Sequence, residues 1–343
     1  MKDFFKNVLA TVLGMFLFSA ICFGFMMMSI IGMIAASDTE TKLKDNSVLT
    51  INLSGVINEK ASTDYLGFLS GDAVENSGLN DILMAIKKAK NNDEIKGIYI
   101  EAGPLGAGFS TLQEIRNALA DFKKSGKWIV AYGDTYSQGS YYVASVANHI
   151  YLNPEGQVDW HGLASQPYYI KDLAAKFGVK YQVAKVGTFK SATETYTETK
   201  MSDANRLQVS LYLNGLWANV CKAVSESRKI SIPTLNTYAD EYQLFATPQS
   251  LIKKRLIDKL LYADQVKGEV KKLLGIDADE SINQVGISAM CNVVEDVNSD
   301  DGIIAIYYAE GEIVQMAPGG MLNNSTNIVS LSLIHISEPT RPY

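Results

Sequence analysis

An α/β protein with a parallel sheet is what this sequence predicts, and three observations carry the prediction. Short apolar runs of strand length alternate with stretches of helical periodicity. Glycines mark the passages from strand to helix. The stretch from Ile95 to Tyr132 then gives the whole unit once, as strand, glycine turn, helix and strand. Ahead of all this lies a segment of another kind, with no charge between Lys6 and Asp38.

That first segment is about 30 residues of Leu, Ile, Val, Phe, Met, Ala and a few small polar residues. Crossing a bilayer takes about 20 apolar residues, so the run is long enough with some tilt. A cleavable signal is the rival reading, because Ala35, Ala36 and Ser37 offer small residues to a peptidase, but its apolar region should be only about 7–15 residues. The expectation is an uncleaved single-pass anchor. Lys2 and Lys6 place its short N-terminus in the cytoplasm, although Lys42 and Lys44 beyond the span pull the other way. The rest of the chain has an ordinary charge balance. With 343 residues, 20% of them charged, and a net charge of −6, it has no basic excess to form a nucleic-acid footprint. Three cysteines, Cys22, Cys221 and Cys291, lack CxxC spacing and give neither a disulfide framework nor a metal site; Cys221 reads as a packing residue on a helix.

Beyond a polar linker, Val48 to Ile57 alternates as a strand, and Asn58 to Gly78 is irregular. Leu79, Ile82, Leu83, Ile86 and Ala89 recur at helical spacing. Ile95 to Ile100 reads as a buried strand running into a glycine-rich turn, Gly103 to Gly108. Leu112, Ile115, Leu119 and Phe122 mark the next helix, and Trp128 to Tyr132 the next strand. Short strands are expected at Ile150–Leu152 and Val158–Leu163, a helix at Tyr168–Phe177, and a strand at Tyr181–Val186. A long helix runs from Ser202 to about Arg228, with Leu207, Leu211, Leu216, Val220 and Val224 as its apolar positions. Ile257–Leu260 and one more helix close the domain near Gly275.

Three places on this frame invite chemistry. Lys190 is the lone charge in Val186–Ala192, enclosed by Gly, Thr, Phe and Ala. Poor hydration disfavours an ammonium, which is how a lysine becomes a general base; a solvated surface residue is the competing reading. Ser137 sits on a turn before a small-residue helix, where a nucleophile can be presented and helix amides favour negative charge. It lacks the GxSxG context of an α/β-hydrolase, and the helix N-cap is its competing role. The Gly103–Gly108 turn is not GxGxxG, so a dinucleotide site is not supported; it is either an oxyanion-binding turn or a tight turn. His149, His161 and His335 show no paired ligand spacing, and no metal or cofactor is expected.

Late in the chain, Ile304 to Ile313 echoes the first strand: Gly55 falls on Gly311 and Ile57 on Ile313. A period of this size means duplication of a domain. A second copy is then expected to begin near Asp301, and the counterpart of Ser137 falls beyond Tyr343. Residues 331–343 break the pattern and resemble a translated sequencing adaptor, so they are set apart from the fold.

Three stretches together carry a specific resemblance: Tyr132-Gly133-Asp134-Thr135-Tyr136-Ser137-Gln138-Gly139-Ser140-Tyr141-Tyr142, Trp160-His161-Gly162, and Val186-Gly187-Thr188-Phe189-Lys190-Ser191-Ala192. The chain resembles the signal peptide peptidase A (protease IV) family in its long, tandem-domain bacterial form. The resemblance implies a crotonase/Clp protease-like fold and a membrane-anchored Ser/Lys serine protease that degrades cleaved signal peptides. Its implied partners are apolar peptides, membrane lipid around the anchor, and other copies in a ring-like homo-oligomer. It implies Lys190 as the general base. Ser137 holds the place of the nucleophile in the first repeat, where the long form does not use it, and the family's Gly-Gly oxyanion turn is altered here to Gly103-Pro104-Leu105-Gly106. The implied organisation is a cytoplasmic N-terminus over 1–7, an anchor over 8–36 and a linker over 37–46. A peptidase-fold domain follows over 47–300, then a truncated second repeat over 301–330 and an artefact tail over 331–343. The main domain would lie on the periplasmic side of a bacterial inner membrane. The alternative is a non-enzymatic, membrane-anchored peptide-binding scaffold with the same fold.

Overall fold

Strand alternation places the core. In β1 (Ser47–Val56), Leu49, Ile51 and Leu53 are fully buried. In β2 (Ile95–Gly106) and β3 (Trp128–Tyr136), Ile98, Ile100, Ile129 and Ala131 continue the same face. The computed structural model describes residues 2–37, 40–59, 61, 78–294, 312–314 and 327–329. It is an α/β structure whose six-stranded sheet has the order β5-β4-β3-β2-β1-β6, with every neighbouring pair parallel. The remaining strands are β4 (His149–Val158), β5 (Lys259–Leu260) and β6 (Asn283–Val285).

Parallel strands need crossovers, and the helices supply them on both faces. One face carries the main core. There α2 (Leu79–Asn91) buries Ile82, Ala85, Ile86 and Ala89, and α3 (Phe109–Lys123) buries Leu112, Ile115, Leu119 and Phe122. The short α4 (Gln138–Ala144) is buried on the same side. The opposite face is smaller: Val48, Val130, Tyr132 and Tyr151 meet Val266, Val270 and Leu274 of α10 (Ala263–Leu274).

The N-terminal helix α1 (Lys2–Ser37) contains an apolar stretch, Asp3–Ser29, in which 18 consecutive residues reach a mean hydropathy of 2.3. At about 1.5 Å per residue its 27 residues reach about 40 Å, against a hydrocarbon core of about 30 Å. By length and composition it is able to cross a membrane.

After β4 the chain runs through α5 (Lys171–Lys176) and the single turn α6 (Glu194–Thr197) into α7 (Asp203–Arg228). Next come α8 (Ile232–Asp240) and α9 (Pro248–Lys253), and α11 (Ile287–Cys291) follows β6. The long helix α7 is anchored by its second half, where Val220, Cys221 and Val224 are buried. The Arg116 guanidinium on α3 ties three helices together. It donates to the Tyr142 carbonyl (2.8 Å) and Ser145 Oγ (2.8 Å) around α4, and to the Ala223 carbonyl (2.7 Å) and Ser227 Oγ (2.6 Å) of α7.

Several expectations are corrected. Tyr181–Val186 is not a strand: among the described residues it pairs with none of the strands, and all six residues are exposed, so its alternation marks no buried face. The glycine turn is absorbed into β2, which continues through Gly106 and pairs Leu105 with Gly55 and Gly106 with Val56. A register shift between Leu53 and Gly55 accommodates this, with Gly55 in the left-handed region at φ 73°. The strand expected at Val158–Leu163 stops at Val158, and the helix expected at Tyr168–Phe177 covers only Lys171–Lys176. Leu207 and Leu211 of α7 are exposed at 53% and 65%, because none of the described residues covers that face of its first half. The fold does not close at Gly275, since β6 returns to pair with β1 and Met290 of α11 enters the core.

Residues 1–294 form one compact unit and 295–343 another. In the second, β7 (Glu312–Val314) and β8 (Asn327–Val329) make a two-stranded parallel ladder. Most of the expected second repeat and all of the set-apart tail lie outside the described residues.

Candidate active site

Ser137 follows the last residue of β3 and caps α4, as the N-cap reading expects. Its Oγ accepts from the Ser140 N–H (3.3 Å) and from the Leu105 N–H at the end of β2 (3.3 Å), and lies 3.1 Å from Ser140 Oγ. Two backbone amides of the kind that would hold an oxyanion therefore point at this hydroxyl instead. A nucleophilic serine needs a base to take its proton, and the side-chain hydrogen-bond partner here is another hydroxyl.

The neighbourhood of Ser137 is closely held. Gln138, buried beside it, accepts from the His161 N–H (3.0 Å) and Gly162 N–H (2.9 Å) and donates to the Gly162 carbonyl (3.0 Å). This clamp fixes the Trp160-His161-Gly162 segment without a strand. Trp160 is fully buried, with its Nε1 donating to the Leu235 carbonyl at 2.9 Å. Its ring centroid lies 5.8 Å from Tyr141 edge-on and 4.9 Å from Trp217. The Tyr136 hydroxyl donates to the Tyr151 carbonyl and that of Tyr141 to the Leu256 carbonyl, each at 2.9 Å. Burial pushes both phenols well above their usual range, so they stay protonated donors. His161 Nδ1 lies 2.6 Å from Asp159 Oδ1.

Lys190 stands in different surroundings. It follows a turn in which Gly187 has φ 99°, a conformation glycine adopts without steric cost. Enclosure by its small neighbours is corrected: Lys190 is exposed, along with Val186 and Phe189. Among the described residues no hydrogen bond or ion pair joins Lys190 to Ser137, so the structure does not bring the two candidates together.

From 163 to 200 a single side chain is buried, and it is Glu194. Its carboxylate accepts from Ser202 Oγ (2.6 Å), the Ser202 N–H (3.3 Å) and Asn205 Nδ2 (2.9 Å). Burial acts to raise its pKa, but the bonds from Ser202 and Asn205, helped by nearby Lys185, outweigh that and hold it below the usual carboxylate value. The N-terminus of α7 adds favourable dipole field at the same point. The sequence reading passed over Glu194 and Gln138. A glutamate four residues after a lysine looks like a solvated charge, and a glutamine in a first helical turn has no pattern of its own.

This stretch and the first half of α7 also leave large apolar side chains open to solvent: Tyr168, Phe177, Val186 and Phe189 in the one, Leu211 and Tyr212 in the other.

Comparison with known proteins agrees with the motifs. Residues 121–277 match the model of peptidase family S49. Protease 4 of Salmonella typhi is 35% identical over 295 residues, covering 81% of this chain and 48% of that protein. Protease 4 of Haemophilus influenzae is 32% identical, covering 77% of this chain and 46% of that protein. The chloroplastic serine protease SPPA of Arabidopsis thaliana is 26% identical, covering 71% and 35% respectively. The chain spans about half the length of these two Protease 4 relatives.

Proposed function

Because this chain belongs to peptidase family S49, in its signal peptide peptidase A branch, we propose that it is the base-bearing part of a membrane-anchored serine endopeptidase that degrades cleaved signal peptides. Lys190 is the general base. The nucleophilic serine comes from a second repeat of the fold beyond the described domain.

The observation that carries this reading is the separation of the two candidates. Ser137 has its hydroxyl engaged by two backbone amides and a neighbouring serine, while Lys190 is exposed and unattached to it. This supports Ser137 as a structural cap and Lys190 as one half of a dyad.

In the reaction a neutral lysine amine takes the proton of the serine hydroxyl as the oxygen bonds the carbonyl carbon of the peptide. Backbone amides hold the resulting oxyanion. The ammonium returns its proton to the departing nitrogen as the C–N bond breaks, and the same base then activates water to release the acyl group. A lysine serves as base only as the free amine, which dry surroundings favour. The exposed Val186 and Phe189 beside Lys190 support its being covered by another copy of the chain in a homo-oligomer, with apolar peptide bound alongside. The helix α1 holds the protein in the bacterial inner membrane by a single pass. Lys2 and Lys6 keep its N-terminus cytoplasmic and the domain periplasmic.

Lys190→Ala in the form that carries the second repeat tests this. Peptide hydrolysis should fall by roughly 100- to 10,000-fold, the range general-base catalysis contributes, with circular dichroism unchanged. Hydrolysis at the wild-type rate rejects the assignment. The absence of a Ser–Lys pair among the described residues favours a second reading for the chain acting alone, a peptide-binding scaffold. Binding of an apolar peptide without cleavage, both here and in the longer form, would favour it.

A further inference from the structure

The one buried side chain between residues 163 and 200 is an anion, and it stands four residues after Lys190. A carboxylate withdrawn from water is unfavourable unless donors replace the lost hydration, and all three donors to Glu194 come from the start of α7. Ser202 links the two elements directly. Its hydroxyl donates to Glu194 Oε1 and accepts the Asn205 N–H at 3.1 Å, so the residue that caps α7 also holds the carboxylate. On its other side, the Glu194 N–H donates to the Ser191 carbonyl at 2.9 Å, one residue from Lys190.

These bonds form a continuous path from the Lys190 turn to the body. Ser191 leads to Glu194, Glu194 to the first turn of α7, and α7 to Arg116 through Ala223 and Ser227. Around Lys190 the side chains are exposed and offer no packing that would fix the backbone. The anchor is polar and local.

We infer that Glu194 is a positioning residue for Lys190, fixing the 187–193 turn to the N-terminus of α7 so that the amine is presented from a defined backbone. The inference rests on the reading of Lys190 as general base. It extends that reading by naming the group that orients the base. Displacement of a catalytic group by about 1 Å can cost about 100-fold in rate, and a turn released from its buried carboxylate anchor has that freedom.

Hydrogen exchange of the full chain and kinetics of the form carrying the second repeat test it together. In Glu194→Ala, amides 187–193 should exchange at least about tenfold faster, while those of 220–224 stay unchanged. In the longer form kcat should fall about 10- to 100-fold with KM within about twofold. The midpoint of the rising limb of kcat/KM against pH should also move. A role confined to folding lowers kcat with the folded fraction and leaves that midpoint in place, and such a result would overturn the inference. Equal exchange at 187–193 overturns it as well. Glu194→Gln preserves volume and one acceptor oxygen and should fall between wild type and alanine; it serves if the alanine variant fails to fold, and wild-type behaviour in both measurements rejects the role. The two readings fail separately. Full hydrolysis by Lys190→Ala removes the base assignment whatever the exchange shows, whereas an inactive Lys190→Ala beside a wild-type Glu194→Ala removes only the positioning role.

Discussion

Ser137 and Lys190 are presented by the same chain in opposite ways. Around Ser137, a strand end, a short buried helix and a ladder of aromatic rings meet, and Gln138 clamps the neighbouring loop at three points. Removing any one contact would leave the backbone there still determined by the others. Around Lys190 the buried side chain is one carboxylate on a helix terminus, and the apolar side chains of Val186 and Phe189 face solvent. Apolar burial over-determines a position because many contacts share the task. A position held by one polar group keeps its geometry only while that group is charged and paired. In the proposed function the closely held site is the structural cap and the exposed one carries the base.

The largest test of this contrast is Trp160→Ala. Trp160 is fully buried between Tyr141 and Trp217, and truncating a buried tryptophan costs about 3–5 kcal/mol. Urea unfolding should show that loss, whereas Leu211→Ala on the exposed face of α7 should change stability by no more than about 0.5 kcal/mol. Comparable losses from the two would erase the distinction between body and exposed segment. Next in size is Arg116→Met. The guanidinium serves four acceptors in a buried site, and Met removes all four of its hydrogen bonds, at a cost of about 2–3 kcal/mol. Exchange should then rise at both 140–145 and 220–227, because the lost bonds join α4 to α7. A rise at one of them alone would show that the arginine does not couple the helices.

How much of this was legible in the sequence follows from the same physics. The strands at Leu49–Leu53, Ile95–Ile100 and Trp128–Tyr132 were readable because burial on a sheet imposes its pattern directly on the side chains. Ser137 as an N-cap and Cys221 as a packing residue were also readable, being local. Periodicity does not reveal whether a neighbour exists. Tyr181–Val186 alternates like a strand but has no partner, and Leu207 and Leu211 repeat like a core stripe but face solvent. Glycines at 103 and 106 look like a turn although β2 runs through both and β1 pairs again with Leu105 and Gly106. The edge strand Asn283-Gln284-Val285 is too short and polar to stand out before its pairing with Ser47–Leu49 is seen. Glu194 stayed hidden for the opposite reason. Its burial is a tertiary fact that no spacing records.

Ser137→Ala is a smaller perturbation. It removes an N-cap whose loss typically costs about 1 kcal/mol, and Ser140 and the surrounding rings retain the backbone. Under the proposed function, peptide hydrolysis by a longer form carrying the proposed second repeat should be unaffected once folded fraction is allowed for. Labelling of Ser137 by a serine-reactive phosphonate would contradict its role as a cap.

Acid separates the two regions with the least disturbance. Glu269 of α10 is bonded by Lys259 and Lys272, which hold its carboxyl at about 2, and Glu194 is likewise held below its usual value. A carboxyl whose folded pKa lies below its unfolded value of about 4.3 contributes stability that is fully present above that value. The contribution is lost as pH falls through the folded value. Both groups should therefore be silent from pH 7 to about 5 and act below that. Lys259 and Lys272 are largely exposed, so the Glu269 pairs are worth no more than about 1 kcal/mol. Glu269→Gln should lower stability slightly at pH 7 and flatten its decline toward pH 3. Protonation of Glu194 should show instead as faster exchange at 187–193, corrected for the intrinsic pH dependence of exchange, while 220–224 stays protected. If acid loosened both segments together, the Lys190 turn would be part of the body's cooperative unit and would not depend on one charged contact.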